Sequence, residues 1–440
     1  MTVREGEWAA FLVLERVTAQ GTYFNLALAD VLGEQRLVGA SRAMATALTK
    51  TVLENLIAID FALTHFTNTK RCGRAVKNVL RIGAARLLYM ETDDSAAVFA
   101  AVELCRKAGK AAQADFVNGV LRALAAKRDD IPWPKREDDE ALYLGVRHSW
   151  PLFAVKQAIK MLGFQEADAM LGAKDVPFTV VRVNPRRANV KAVEAILRSL
   201  GGAVTPSPYD DLALRVSGVD DLPGQKAYRD GLLSLQGEAS LLAVRQIPKD
   251  AKKVMDLCAA PGGKAMAMAE RMPGACVVAL DLHEHRVLLM IEQKQRLGLE
   301  NVLCEAADAT KPMDMHAQSA DAVLLDAPCS GLGTAQNRPD VKMNRDFDEI
   351  LSLSALQRSL LLAAAGYVKT GGTLVYSTCT FIRQENADNV AHFLSQHPDF
   401  VIVPLDLPDT IPGGGSGMVQ LWPHTHETDG FFISRMRRIG

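Results

Sequence analysis

From Ala251 to the end of the chain, short apolar runs alternate with stretches of helical character, and this alternation restricts the fold more than any other feature. Val254–Leu257 leads into a glycine-rich turn and a helix rich in alanine and methionine. Val277–Leu280 leads to Asp281 and another helix, and Val302–Ala306 leads to Asp308. Ala322–Leu325 and Thr373–Tyr376 follow, separated by a helix over Leu351–Val368, and Gly430–Ser434 reads as a last strand. Strands joined through helices pair in parallel, with helices on both faces. The C-terminal half is therefore predicted to be a Rossmann-like α/β domain, whose ligands bind beyond the carboxyl ends of the strands.

The rest of the chain differs in kind. Residues 1–130 read as an all-α bundle: Val52, Leu56, Ile59 and Leu63 recur at helical spacing, and no proline occurs before Pro132. A charged, proline-broken segment from Asp129 to Glu140 reads as a linker. Residues 141–235 read as a small α+β domain, with strands over Phe178–Asn184 and around Leu212, Leu214 and Val216, and a helix over Val190–Leu200. Residues 236–440 complete the α/β domain.

Composition narrows the function classes. With 48% hydrophobic and 23% charged residues the chain is globular throughout. Its net charge of −1 leaves nucleic-acid affinity to local patches. The best such patch lies between Lys70 and Arg128, where twelve basic and five acidic residues leave an excess of seven positive charges. These side chains are either a phosphate-binding surface, with Arg71, Arg74 and Lys77 as its first candidates, or simply solvated helix faces. No apolar run approaches the ~20 residues of a membrane span, and the segment Met1–Glu7 makes a poor signal peptide. Seven scattered cysteines without a Cys-x-x-Cys pair argue for a reducing, cytoplasmic setting and against a zinc site. The pair His424 and His426 has no third ligand at a recognisable spacing, so no metal is expected.

The chemistry concentrates at strand ends. The turn Cys258-Ala259-Ala260-Pro261-Gly262-Gly263-Lys264 would let backbone approach a ligand and leave helix N–H groups free. Asp281 follows Gly263 by 18 residues, close to the spacing at which a carboxylate accepts from ribose hydroxyls. It could equally cap a helix, and Asp308 could belong to no more than a turn. These motifs leave a dinucleotide and S-adenosylmethionine both open. Cys329, in Asp326-Ala327-Pro328-Cys329-Ser330-Gly331, and Cys379, in Tyr376-Ser377-Thr378-Cys379-Thr380, stand just past two strands of one sheet edge. The proline and the following Ser-Gly predict a tight turn exposing Cys329. A free cysteine is usually a small core hydrophobe, and Cys72, Cys105, Cys258, Cys276 and Cys304 read that way. Two at equivalent strand ends beside a nucleotide-like pocket point to covalent chemistry on an electron-poor ring.

Cys258–Lys264, Asp326–Cys329, Ser377–Cys379, Arg338–Lys342 and Thr428–Phe432 together resemble the RNA cytosine-C5 methyltransferases of the Sun/Nol type. Phe116-Val117-Asn118-Gly119-Val120-Leu121-Arg122 resembles the helical antitermination factor NusB. The pairing of the two is that of the RsmB/Sun-type bacterial ribosomal RNA enzymes. In the Arg338 segment the family's histidine before the proline and tryptophan after the lysine are replaced by Arg338 and Met343. The resemblance implies a class I methyltransferase domain, S-adenosylmethionine as cofactor, and a specific cytidine of small-subunit ribosomal RNA as target. It also implies a monomer acting on free or incompletely assembled small-subunit RNA. Cys379 would attack, Cys329 would assist release, Asp326 would hold the cytosine N3 edge, and Lys264 would orient the base or Asp326. Cys258–Lys264, Asp281, Asp308 and Asp326 would bind the cofactor, and Arg338 and Lys342 would join Arg71, Arg74 and Lys77 as RNA contacts. Transfer RNA as substrate, or a non-catalytic RNA- or transcription-factor-binding scaffold, are the alternatives. Two intact thiols weigh against the scaffold.

Overall fold

The structure, a computed structural model, describes residues 4–311, 313–343 and 346–440. Residues 1–3 of the N-terminal segment considered above lie outside the described residues. Two compact units divide the chain: residues 1–173 with 334–346, and residues 174–333 with 347–440.

The first unit is helical: α1 (Glu5–Gln20), α2 (Phe24–Glu34), α3 (Gly39–Glu54), α4 (Leu56–Thr64), α5 (Arg74–Tyr89), α6 (Asp94–Lys107), α7 (Ala114–Ala126), α8 (Glu140–Arg147), α9 (Leu152–Leu162) and α10 (Phe164–Leu171). Its core takes one stripe from each of the first seven helices, including Leu14, Val52, Ile59, Val79, Leu104, Val117 and Leu121, all at 1% exposure or less. The last three helices fall within 141–235, where the sequence suggests an α+β unit. They are only 8 to 11 residues long, so the strands that follow dominate the pattern of that window. Ser149 ties these helices to the bundle, its hydroxyl accepting from the Ala58 N–H at 3.2 Å, and the buried Trp150 ties them to one another, its indole N–H donating to the Leu171 carbonyl at 3.0 Å.

The second unit holds two sheets. The smaller is antiparallel, in the order β2-β3-β1-β4, from β1 (Thr179–Val183), β2 (Ala203–Pro206), β3 (Ala213–Ser217) and β4 (Leu233–Leu235), with α11 (Val190–Ser199) and α12 (Lys226–Arg229) among them. The larger runs β10-β12-β9-β8-β5-β6-β7, with β11 paired to β12. Its strands are β5 (Lys253–Asp256), β6 (Cys276–Asp281), β7 (Val302–Ala306), β8 (Ala320–Asp326), β9 (Val368–Thr378), β10 (Phe400–Ile402), β11 (Met418–Leu421) and β12 (Phe431–Arg438). The helices α13 (Glu238–Arg245), α14 (Gly263–Arg271), α15 (Glu284–Leu297), α16 (Phe347–Ala365) and α17 (Ala387–Gln396) complete the unit. Strands β5 to β9 pair in parallel, and β12 returns antiparallel to β9. The central parallel strands β5, β6 and β8 are buried on both faces, which is why they read as apolar runs, whereas β7 at the edge is partly exposed. Chain order reverses between β5 and β8, the switch point where a doubly wound sheet opens a crevice.

Candidate active site

Both cysteines stand at that crevice. In the parallel pair of β8 and β9, Asp326 lies in register with Ser377, so Cys329 and Cys379 leave neighbouring strands on the same edge. Their sulfurs are 3.3 Å apart, and the Cys379 backbone N–H donates to the Cys329 sulfur at 3.3 Å. Both residues are half-buried, so the turn does not expose Cys329 as the sequence suggests. A buried carboxylate that sequence reasoning missed accounts for this. Glu385 accepts from the Ser330 backbone N–H at 2.8 Å, the Ser330 hydroxyl at 2.6 Å and the Gln357 amide at 3.0 Å. The same Gln357 amide donates to the Pro328 carbonyl at 2.8 Å. The loop is thus held from inside the protein. Glu385 carries no signal in the sequence beyond being an acid six residues after Cys379.

The hydrogen bond to Cys379, burial, and the charge of Glu385 hold the Cys329 thiol well above the usual thiol range. These effects favour the protonated form of Cys329, and at 3.3 Å either sulfur can donate to the other. Gly333 closes the far side of the loop. Its N–H donates to the Cys379 carbonyl at 3.0 Å, its carbonyl accepts from Gly430 N–H at 2.8 Å, and a Cβ there would collide with the Gly430 carbonyl.

Lys264 and Asp326 form an ion pair at 2.6 Å, and the Ser377 hydroxyl donates to the other Asp326 oxygen at 2.8 Å. Burial alone would lower the Lys264 pKa, but the carboxylates of Asp326 and Asp256 overcome it and the ammonium is held above its ordinary value. Of the two roles open to Lys264, the structure displays the pairing with Asp326.

The glycine turn runs from β5 to α14. Ala259 N–H donates to the Leu280 carbonyl at 2.7 Å, and Gly262 takes the left-handed region with φ +106°, so α14 starts without a side-chain cap. Cys258 lies in this turn, where burial pushes its thiol up and makes it a poor nucleophile. Arg182 of β1, 1% exposed, holds the helix from outside. It pairs with Glu270 at 2.7 and 2.9 Å, donates to the Gly263 carbonyl at 2.9 Å and reaches the Gln236 side-chain oxygen.

Asp281 and Asp308 end β6 and lie just past β7. Asp281 accepts from His283 N–H at 3.1 Å and pairs with Arg286 at 3.3 Å, and Arg286 also donates to the Ala260 carbonyl at 2.8 Å. Asp308 accepts from the Thr310 hydroxyl and N–H at 2.6 and 3.1 Å, the turn that was its alternative reading, and these bonds hold its carboxyl below the usual range. Asp256, at the end of β5, is missing from the sequence reading although an acid closing a central strand is a visible signal. It is 1% exposed, neither oxygen has a well-formed hydrogen bond among the described residues, and burial next to Asp326 pushes its pKa up to about 7 against the opposing effect of the Cys258 backbone N–H.

The remaining candidates belong to the helical unit. Arg71 is exposed, Arg74 pairs with Glu15 at 3.2 Å, and Lys77 with Asp60 at 3.0 Å. Arg338 lies over the Tyr23 ring, 4.4 Å from its centroid. Lys342 is largely buried. It is 8% exposed, its ammonium donates to the Glu54 and His148 carbonyls at 3.1 and 3.2 Å, and burial lowers its pKa to about 8. Cys276, read as a packing residue, is exposed at the start of β6. Among the described residues no His, Cys, Asp or Glu cluster of metal-binding size occurs, and no helix is long and apolar enough to cross a membrane.

Residues 243–437 match the family 16S rRNA methyltransferase RsmB/F, and residues 7–126 match the NusB family. A probable ribosomal RNA small subunit methyltransferase B of Bacillus subtilis is 34% identical over the whole chain and 99% of its own length. The chain belongs to the RsmB/F family. A ribosomal RNA small subunit methyltransferase B of Erwinia tasmaniensis is 30% identical, with 96% of each chain covered. Among solved structures, PH0851 superposes with TM-score 0.83 at 26% identity over 99% of both chains. A methyltransferase homologue from Pyrococcus horikoshii superposes with TM-score 0.60 at 25% identity, over 68% of this chain and 99% of its own. The helical bundle followed by a methyltransferase sheet is thus the family's arrangement, and the chain is an RNA methyltransferase by membership.

Proposed function

We propose that this chain methylates C5 of one cytidine in small-subunit ribosomal RNA, with S-adenosylmethionine as donor, through a covalent bond between Cys379 and C6. The observation that carries the reading is the dithiol, two sulfurs 3.3 Å apart beside the Lys264–Asp326 pair. The names of the Bacillus and Erwinia relatives supply the substrate class.

The residues present fit the cofactor. The uncapped start of α14 offers N–H groups to a carboxylate, and the carboxyls of Asp281 and Asp308 offer acceptors to ribose hydroxyls. When bound, S-adenosylmethionine supplies an electrophilic methyl group.

Cytosine C5 is a poor nucleophile until a thiolate adds to C6. Burial and the Cys379 contact favour the protonated form of Cys329, which supports the reading of Cys379 as the sulfur that attacks. Asp326, oriented by Lys264 and Ser377, holds a proton at N3 while the S–C6 bond exists and takes it back afterwards. Once C5 has gained the methyl group, loss of its proton to a base breaks the S–C6 bond, and the Cys329 S–H assists by donating to the departing sulfur. The base must be unstacked for attack on its face. Bisulfite sequencing of small-subunit RNA incubated with the protein and S-adenosylmethionine tests the reading. One newly protected cytidine is expected, and none with Cys379→Ala. Protection at N4 or on a ribose, or in transfer RNA alone, would refute it.

A further inference from the structure

The helical unit contains a cavity of about 890 Å³ that the catalytic reading does not use. The face of α5 forms one side: Arg74, Lys77 and Arg81 recur at helical spacing, with Lys70 just before them. Lys342 approaches from a different stretch of chain. Against these five cations the lining has one carboxylate, Asp60, which binds Lys77 at 3.0 Å and Arg81 at 2.7 Å. Burial would raise the Asp60 pKa, but Arg81 and Lys77 outweigh it and hold the carboxyl below its usual range. Arg74 is neutralised by Glu15 from outside the lining. Three positive charges remain in excess. Lys70 has no acidic partner among the described residues, and Lys342 binds two carbonyls and stands 5.4 Å from the centroid of the Trp150 ring, with no ion pair among the described residues. The charge of Glu54 only partly offsets its burial, so the ammonium is incompletely compensated, and an anion would complete it.

The lining also includes apolar side chains, among them Phe61, Leu142 and Leu152, the two leucines 37% and 44% exposed. Cations and apolar groups around one space larger than a single nucleotide needs match a phosphodiester with its base attached. The NusB-family match ends at residue 126, so the walls from α8, Leu152 and Lys342 are additions to that bundle. Lys342 also lies 13 residues beyond Cys329 in the chain, on the segment 334–346 that packs within the helical unit.

We infer that this cavity is a separate RNA site that holds one phosphodiester and its base from the substrate, with Lys70 and Lys342 as phosphate contacts. The inference rests on the RNA-substrate reading above. The test is binding of the full chain to a transcribed small-subunit RNA fragment across a salt series, using Lys70→Gln and Lys342→Gln. Each variant should lower the salt slope by about one, and together they should weaken binding roughly tenfold or more. Titration with S-adenosylmethionine checks folding, and Lys70→Gln alters an exposed side chain, so it keeps the test intact if Lys342→Gln unfolds. Cytidine monophosphate alone should bind weakly and be displaced by the RNA. Unchanged affinity and slope in Lys70→Gln and in folded Lys342→Gln would overturn the inference, whether the cavity then takes a protein segment or nothing. Tight mononucleotide binding that RNA does not displace would overturn it as well. Methyl transfer by the unmodified protein reports separately on the catalytic reading, so failure of one is distinguishable from failure of the other.

Discussion

The dithiol edge of the sheet and the basic stretch of the helical bundle were both marked by charge and residue type, yet they are built in opposite ways. At the sheet edge, chemistry is local. Asp326, Cys329, Ser377 and Cys379 lie in two short strand-end segments, and parallel pairing of those strands brings them together. In the bundle, charge is settled at long range. The excess of seven between Lys70 and Arg128 is reduced by Glu7, Glu15 and Asp60, acids outside that window, which pair with Arg86, Arg74, Lys77 and Arg81. A charge count over a window measures potential only where the fold leaves the charges unpaired.

The sharpest way to break the comparison is at the attacking sulfur. Cys379→Ala should cut turnover by roughly 10³-fold or more while the RNA still binds, since removing a nucleophile disables the whole reacting unit. Single-turnover methyl transfer measures it, and near-normal transfer would leave the sheet edge without its chemistry.

Next comes Arg182, which shows that the small sheet does structural work for the glycine turn. The Arg182–Glu270 pair is 1% exposed at both side chains, so Arg182→Ala leaves a buried carboxylate unpaired and should cost about 3–5 kcal/mol. Urea denaturation of the full chain gives the value. A loss below ~1 kcal/mol would mean the pair is not closed in solution.

Asp256 gives a pH signature to the catalytic unit. Its folded pKa is raised to about 7 from an ordinary value of 3.8, so the folded state holds a proton that the unfolded chain has already released between those values. Its contribution to stability is lost as pH rises from about 4 through about 7. Asp256→Asn should flatten that part of the stability profile and raise the melting temperature above pH 7. A profile identical to the unmodified protein's would show that the carboxyl is charged throughout.

The smallest effect belongs to the bundle surface. Arg74 is 58% exposed, and Arg74→Gln should cost less than ~1 kcal/mol in thermal unfolding because an exposed ion pair is weak. A large loss would make this stretch structural and not a solvated face.

What was legible in the sequence follows the same divide. The central parallel strands announce themselves because burial on both faces requires unbroken apolar runs, as in Ala322–Leu325 of β8. The strand ends are legible because proline, glycine and cysteine there have few other uses. Glu385 was not, because its partners Ser330 and Gln357 are 55 and 28 residues away, and nothing local distinguishes a buried glutamate from an exposed one. The burial of Lys342 was not legible for the same reason: its acceptors are the carbonyls of Glu54 and His148, 288 and 194 residues distant. The helices α8 to α10 are amphipathic but only 8 to 11 residues long, too short to stand out beside the strands that follow them.

The division of labour between the two sulfurs is the central claim, and denaturing electrophoresis of protein mixed with RNA and S-adenosylmethionine tests it most directly. The account predicts that Cys329→Ala retains a covalent protein–RNA band, because attack proceeds while release is slowed, and that Cys379→Ala shows none. A band with Cys379→Ala and its absence with Cys329→Ala would contradict the account and exchange the roles of the two thiols.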